Sequence, residues 1–307
     1  MQDTGSSFKK SDEWIERRKK TIGGSDIGVI CGRSPYKTAY QLWLEKTGRV
    51  QMPDISHLPH IARGHLSEEI ARGRLERETL TSYRPKFWRH AECEYMAVND
   101  DGFSVDHNHF LEIKAMGLAN HNIVKEGAKA ESYESRVASI PEYYIDQIQF
   151  NLMVSGCEKC IFISYRVEDD DMVCIDVLPD KKLQKELFES AKYFFEVNMA
   201  QDIPPALTDK DYVKVADKDL DEKLKRYKEI KEQVAVLEGE AEAIKEGARK
   251  YISGHPAVQT PEGFRLSLSA RQGSVDYQRL CKEKSIAKEE VEKYRKKPVE
   301  VYTIRLP

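Results

Sequence analysis

The chain has 307 residues, 40% of them hydrophobic and 33% charged, with a formal net charge of −3. That length holds one large domain or a domain with an appendage, and no apolar run approaches the ~20 residues needed to span a bilayer. A pI near 6.3 is unlike that of a protein that coats nucleic acid unspecifically, although local basic patches still allow contact with DNA. Met1 to Lys20 is polar and charged, unlike a signal peptide. Six scattered cysteines suit a reducing cytoplasm.

Residues 12–50 read as short helices. One runs to Lys20. A second, over 27–31, follows the Gly23-Gly24 turn and is capped by Ser25 or Asp26. A third, over 38–46, is closed by Gly48. A loop is expected over 51–59 and a longer helix over 61–80. Strands are expected at 92–98, 102–106 and 110–115. Residues 116–140 lack clear periodicity and read as a functional loop or a mobile segment. Pro141 opens a helix to about Ser155. Residues 160–167 and 172–177 read as a hairpin, and 180–200 as an amphipathic helix. This order predicts an α/β fold with a mixed central sheet flanked by helices.

Pro204-Pro205 punctuates the chain, dividing a core (1–208) from a C-terminal extension (209–307). In the extension, apolar residues from Leu220 to Tyr251 recur at three- and four-residue steps, predicting a coiled-coil-like helix. Short helices near 275–283 and 287–296 and strands at 264–270 and 299–306 complete it. Basic patches stand at Arg17-Arg18-Lys19-Lys20 and Arg295-Lys296-Lys297.

The chemistry concentrates in Asp101-Gly102 and Phe110-Leu111-Glu112-Ile113-Lys114. In a strand, Glu112 and Lys114 project from the same face. Asp101 can reach that point from the preceding turn. Two carboxylates and the Ile113 carbonyl make an oxygen set suited to a hard cation. A lysine beside it can hold or deprotonate a water, and these are the parts of metal-assisted phosphodiester cleavage. The bland alternative is an Asp-Gly turn beside a solvated ion pair. The apolar run argues for a buried strand, where charges need partners or a metal.

Two helices add candidates. Glu68 shares a face with Ala71 and Leu75, with Arg72 as its alternative ion-pair partner. Gln149 falls on the stripe of Ile145, Ile148 and Leu152, while Gln147 points nearly opposite. Cys157 and Cys160 form a lone CxxC. Without a second pair, core packing is the better reading for them than zinc or iron–sulfur ligation.

Gly64-His65-Leu66-Ser67-Glu68, Asp101-Gly102, Glu112-Ile113-Lys114 and Gln147-Ile148-Gln149 together resemble the ordered motifs of the PD-(D/E)xK nucleases. Within these the pattern is similar to the phage lambda exonuclease and YqaJ-type viral recombinase group. Trp14 to Arg18, leading to Ile22-Gly23-Gly24-Ser25-Asp26, resembles that group's N-terminal motif. The resemblance covers roughly 12–200. It implies a Mg²⁺-dependent 5′→3′ exonuclease on linear double-stranded DNA, leaving 3′ overhangs for recombination. Two Mg²⁺ sites are implied, with Mn²⁺ able to substitute.

By the same resemblance Asp101, Glu112, the Ile113 carbonyl and Glu68 are the metal residues. Lys114 attends the water, Gln149 supports the site, and Arg18 and Ser25 hold the terminal 5′-phosphate. Asn99 and Asp100 stand where lambda exonuclease has Ser-Pro, and that serine serves the phosphate pocket. A trimeric ring, a single-strand annealing partner, a host-cytoplasm location and no membrane contact are also implied. The alternatives are an endonuclease on the same core, the iron–sulfur nucleases of CRISPR adaptation, which the cysteine spacing disfavours, and a non-catalytic DNA-binding scaffold.

Overall fold

The computed structural model describes residues 12–51, 58–268, 273–274, 276–286, 290–291 and 294. Its packing divides the chain into two compact units, Met1–Val213 and Lys214–Pro307.

The first unit opens with α1 (Asp12–Lys20), α2 (Gly24–Ile30) and α3 (Ala39–Lys46). The start of α2 differs from expectation. Gly23, not Ser25 or Asp26, is the cap, and Asp26 sits in the first turn, accepting the Gly23 N–H at 2.9 Å. Thr38 caps α3, accepting from Gln41 N at 3.1 Å, while the Gln41 side chain accepts from Thr38 N at 3.2 Å. α4 (Pro59–Thr79) has proline in its first turn and ends where Leu80 turns left-handed at φ 55°.

β1 (Phe87–Arg89) and β2 (Ala97–Asn99) pair antiparallel. The strand expected at 92–98 is mostly turn, fastened by Met96 N donating to Cys93 O at 2.8 Å. β3 (Gly102–Ser104) and β4 (His109–Ala115) begin the main sheet. Next in the chain come α5 (Leu118–Gly127), α6 (Tyr133–Ala138) and α7 (Glu142–Ser155). β5 (Lys159–Arg166) and β6 (Asp171–Val177) complete the sheet in the order β3-β4-β5-β6. β4 is antiparallel to β3 and parallel to β5, and β5 is antiparallel to β6, so the central sheet is mixed.

A parallel neighbour cannot be reached by a tight turn, so the chain crosses over through α5–α7. The expected loop at 116–140 is therefore two helices. Its pattern misled because α5 buries only His121 and Val124, while Leu118 and Ile123 face solvent. α8 (Lys181–Tyr193) is capped by Asp180, which accepts from Lys182 N and Leu183 N, and continues into a π-helical turn at Phe194–Met199.

One face of the sheet, with Leu111, Ile113, Ile163 and Tyr165, packs on Ala71 and Leu75 of α4. The other, with Phe110, Phe162 and Ile175, packs on Ile148 and Leu152 of α7. A further cluster joins α2, α3 and α8 around Ile27, Trp43 and Leu187. β4 is thus buried on both faces. Cys157 and Cys160 are core residues and free thiols.

The second unit contains α9 (Lys218–Arg249), capped by Asp217, with none of its described residues buried. A short hairpin of β7 (Ala257–Gln259) and β8 (Arg265–Ser267) and then α10 (Tyr277–Glu283) follow. The expected strand at 299–306, the patch Arg295-Lys296-Lys297, and most of the expected elements at 287–296 and 51–59 lie outside the described residues. Among the described residues no helix is long and apolar enough to cross a membrane.

The three N-terminal helices are held by a buried ion pair. Lys46 Nζ donates to Asp26 Oδ2 at 2.6 Å, Thr21 O at 2.6 Å and Arg18 O at 2.8 Å. Burial raises the Asp26 carboxyl, but Lys46 and Arg18 outweigh it and hold it below the usual carboxylate range. Lys46→Met leaves the buried Asp26 carboxylate to the longer Arg18 contact at 3.4 Å, and a loss of about 3 kcal/mol is expected in urea unfolding. The Asp26 pKa is depressed on folding. Its contribution is therefore full above the unfolded value of about 3.9 and disappears as pH falls below that. The gap between wild type and Lys46→Met should narrow in melts taken below about pH 4.

Candidate active site

Glu112 is 2% exposed on β4. Its carboxylate accepts from Gln147 Nε2 at 2.6 Å and Asn151 Nδ2 at 3.2 Å, both on α7, and meets Lys114 Nζ at 2.5 Å. Glu112 and Lys114 share a face because two residues separate equivalent directions in a strand. Burial pushes the Glu112 carboxyl up to about 7, Lys114 opposes the shift, and Asp101 and Glu68 add repulsion. Burial works against the Lys114 charge, yet Glu112 and Asp101 hold its pKa above the usual lysine value. The Lys114 ammonium stands 5.0 Å from the centre of the Tyr144 ring.

Asp101 lies one residue before β3. Its Oδ2 accepts the Ile113 N–H at 2.7 Å, and its own N–H donates to Leu111 O at 3.1 Å. Pairing of β3 with β4 stops at Leu111. Ile113 turns its N–H and carbonyl toward the same edge as Leu111, past the end of β3, where the Asp101 carboxylate replaces a ladder partner. Gly102 is needed there for close packing: a Cβ would come within 2.9 Å of Tyr83 Cβ. Burial raises the Asp101 carboxyl against the pull of Lys114 and the Ile113 N–H.

Glu68 approaches from α4. Burial and then Asp101 raise its carboxyl. Its partner is His65, with Nδ1 at 3.5 Å. Arg72, the alternative partner suggested by spacing, instead donates to the Asp101 carbonyl at 2.6 Å.

Gln149 is placed elsewhere. Its amide donates to Leu178 O at 2.7 Å and accepts from Asp180 N at 2.8 Å and Gln184 Nε2 at 3.2 Å, tying α7 to the start of α8. The glutamine that reaches Glu112 is Gln147. The stripe position of Gln149 thus marks a structural amide, while the resemblance gave it the site role; α7 is buried nearly all round, so polar residues on two faces are enclosed. The missed signal was the polar pair Gln147 and Asn151, one helical turn apart on one face.

A cavity of about 110 Å³ lies on the other side of Gln147 from Glu112, lined by Arg18, Gly24, Ser25, Phe87, Asn99 and Gln147 among others. Arg18 Nη2 donates to Ser25 Oγ at 3.1 Å. Gln147 therefore touches Glu112 and also lines the Arg18–Ser25 cavity. Gly24 makes the close approach possible, since a Cβ there would fall 2.2 Å from Asn151 Oδ1. Asp100 turns inward instead, accepting from Lys86 N at 3.0 Å and Trp88 Nε1 at 2.6 Å, and burial pushes its carboxyl up to about 6.

Residues 13–158 match the family model of the YqaJ-like viral recombinase domain. That stretch is similar to the YqaJ-like domain. The YqaJ-like stretch contains every group described above from Arg18 to Asn151. Over 252 residues the chain is 29% identical to the uncharacterized protein YqaJ of Bacillus subtilis (strain 168), covering 76% of this chain and 75% of that protein. Among solved structures, the alkaline exonuclease LHK-Exo of Laribacter hongkongensis is similar in fold, with a TM-score of 0.50 at 20% identity. The match covers 62% of this chain and 94% of that one. The same enzyme in complex with dAMP matches equally.

The YqaJ-like site fits a hard divalent cation. Carboxylates that repel one another, Glu112 buried and Asp101 and Glu68 half-buried, form with a carbonyl on the same edge an oxygen donor set. Among the described residues no three His, Cys, Asp or Glu side chains close into a ready cage. The Lys114 ammonium, drawn onto Glu112 and toward Asp101, supplies the positive charge there. Mg²⁺ or Mn²⁺ should raise the melting temperature of the wild-type protein, and Asp101→Ala or Glu112→Gln should abolish that rise. Differential scanning fluorimetry with and without chelator measures it.

Proposed function

We propose that this protein is a divalent-metal-dependent exonuclease that digests linear double-stranded DNA from its ends, 5′→3′. The observation that carries the reading is Gln147, which joins the Glu112 carboxylate to the Arg18–Ser25 cavity. A phosphate-sized pocket with an arginine fork suits a terminal phosphate. Set one side chain from the carboxylates, it would seat a 5′ end with the next phosphodiester at the reactive groups. An endonuclease has no need of such a pocket, and a non-catalytic scaffold has no need of a strained carboxylate cluster.

Bound between Asp101 and Glu112, Mg²⁺ or Mn²⁺, in one or two sites with Glu68 near the second, would polarise the phosphate and lower the pKa of a water. Gln147 and Asn151 fix the Glu112 carboxylate. The Ile113 N–H fixes Asp101. Lys114, beside Glu112 in this site, would orient the attacking water or take its proton. Arg18 and Ser25 hold the terminal phosphate, with Asn99 at the cavity wall in place of a hydroxyl donor. The products would be 3′ overhangs for recombination. A single-strand annealing protein is the partner this reading calls for, in a cytoplasmic setting, with a trimeric ring as the assembly.

Asp101→Ala should lower digestion of end-labelled linear duplex by about 10²–10⁴-fold, as expected for several kcal/mol of metal catalysis. Chelator should stop wild-type digestion, and closed circular DNA should survive. If Asp101→Ala digests as well as wild type, the reading is wrong. Arg18→Ala should remove about 10- to 100-fold of any preference for a 5′-phosphate over a 5′-hydroxyl, the loss of a charged hydrogen bond. Rate ratios on the two ends, taken within each enzyme, test this.

A further inference from the structure

Tyr36 stands in the loop between α2 and α3, and 76% of it is exposed. Packing does not require a large aromatic side chain there, yet the loop is tied down. Arg33 donates to Asp146 Oδ2 at 2.7 Å and Glu186 Oε1 at 2.9 Å. Ser34 Oγ accepts the Tyr36 N–H at 3.3 Å, and Lys210 Nζ donates to the Pro35 carbonyl at 3.2 Å. The Tyr36 ring meets Tyr143 at right angles, with centroids 5.7 Å apart and hydroxyls 3.4 Å apart. Tyr143 leans on Tyr144 with centroids 4.3 Å apart, and Tyr144 lies beside the Lys114 ammonium. A series of three rings thus runs from solvent to the lysine of the candidate site.

We propose that Tyr36 is a stacking surface for a nucleobase of the DNA strand that enters this site, an inference that rests on the nuclease reading above. Exposed aromatic rings along a nucleic-acid path hold bases of any identity, because every base offers a π-face. A degradative enzyme needs that tolerance as it moves through sequence. Bases inside a duplex are covered on both faces by their neighbours, so the base taken is terminal or unpaired. Tyr143 and Tyr144 separate Tyr36 from Lys114, which places that base beyond the nucleotide being cut. The tethers at Arg33, Ser34 and Pro35 hold the ring in place before DNA arrives, so little conformational freedom is lost on stacking.

The test uses the full chain and duplexes carrying 2-aminopurine at successive positions from the 5′ end, with divalent ions chelated so that the strand stays whole. Stacking on Tyr36 should quench the fluorescence at one position in wild type. Tyr36→Ala should abolish the quench and Tyr36→Phe should keep it. With metal restored, Tyr36→Ala should raise the KM for DNA by about 5- to 150-fold, the range for loss of one base–aromatic stack, and Tyr36→Phe should not. The inference is overturned if Tyr36→Ala quenches and binds like wild type. It is also overturned if Tyr36→Phe fails as badly as Tyr36→Ala, for then the hydroxyl contact to Tyr143 is what matters. Wild type that cuts no DNA would instead refute the nuclease reading, with the fluorescence result still legible.

Discussion

Carboxylates gathered in a low-dielectric interior must find a cation, and the core of this molecule is arranged around that requirement. Glu112 sits in a strand covered on both faces, with Asp101 beside it and Glu68 approaching from α4. Removing such charges from water costs several kcal/mol each unless something positive answers them. The Lys114 ammonium answers part of the demand, and the amides of Gln147 and Asn151 satisfy remaining lone pairs of Glu112. A divalent ion answers the rest more completely than a single lysine, and that imbalance is the physical basis for reading the site as metal-binding.

The fold supplies the geometry by one topological choice. Making β4 and β5 parallel forces a crossover, and the crossover lays α7 over the face that carries Glu112 and Lys114. α7 in turn receives α2, closely enough that Gly24 cannot carry a Cβ without striking Asn151. The end of α1 and the start of α2 thereby bring Arg18 and Ser25 to the wall of the same cavity that Gln147 lines. The buried Lys46–Asp26 pair fixes that corner. Groups far apart in the chain meet because the crossover leaves them nowhere else to pack.

Much of this was legible in the sequence where a short-range rule governs. Strand periodicity alone puts Glu112 and Lys114 on one face, and the apolar residues around them announce a buried strand. The mixed sheet, the 160–177 hairpin and the long helix of the extension follow from similar local patterns. What failed depended on tertiary enclosure. Gln149 is the supporting amide only by resemblance. Its place on the apolar stripe fits the structural role it has, and because α7 is enclosed on more than one side the stripe does not identify the face that meets Glu112. The helices at 118–138 were hidden because α5 exposes Leu118 and Ile123 and buries a histidine. Arg72 was placed beside Glu68 by spacing, whereas its guanidinium reaches the Asp101 carbonyl, a partner no helical rule could supply.

The central claim is that Asp101 and Glu112 grip a divalent ion with Lys114 yielding its place. The most direct measurement is anomalous diffraction from crystals soaked in Mn²⁺. The account predicts one peak or two contacting the Asp101 and Glu112 carboxylates, with the Ile113 carbonyl among the ligands and Lys114 Nζ moved away from Glu112. No peak there, with Lys114 still bonded to Glu112, would contradict it.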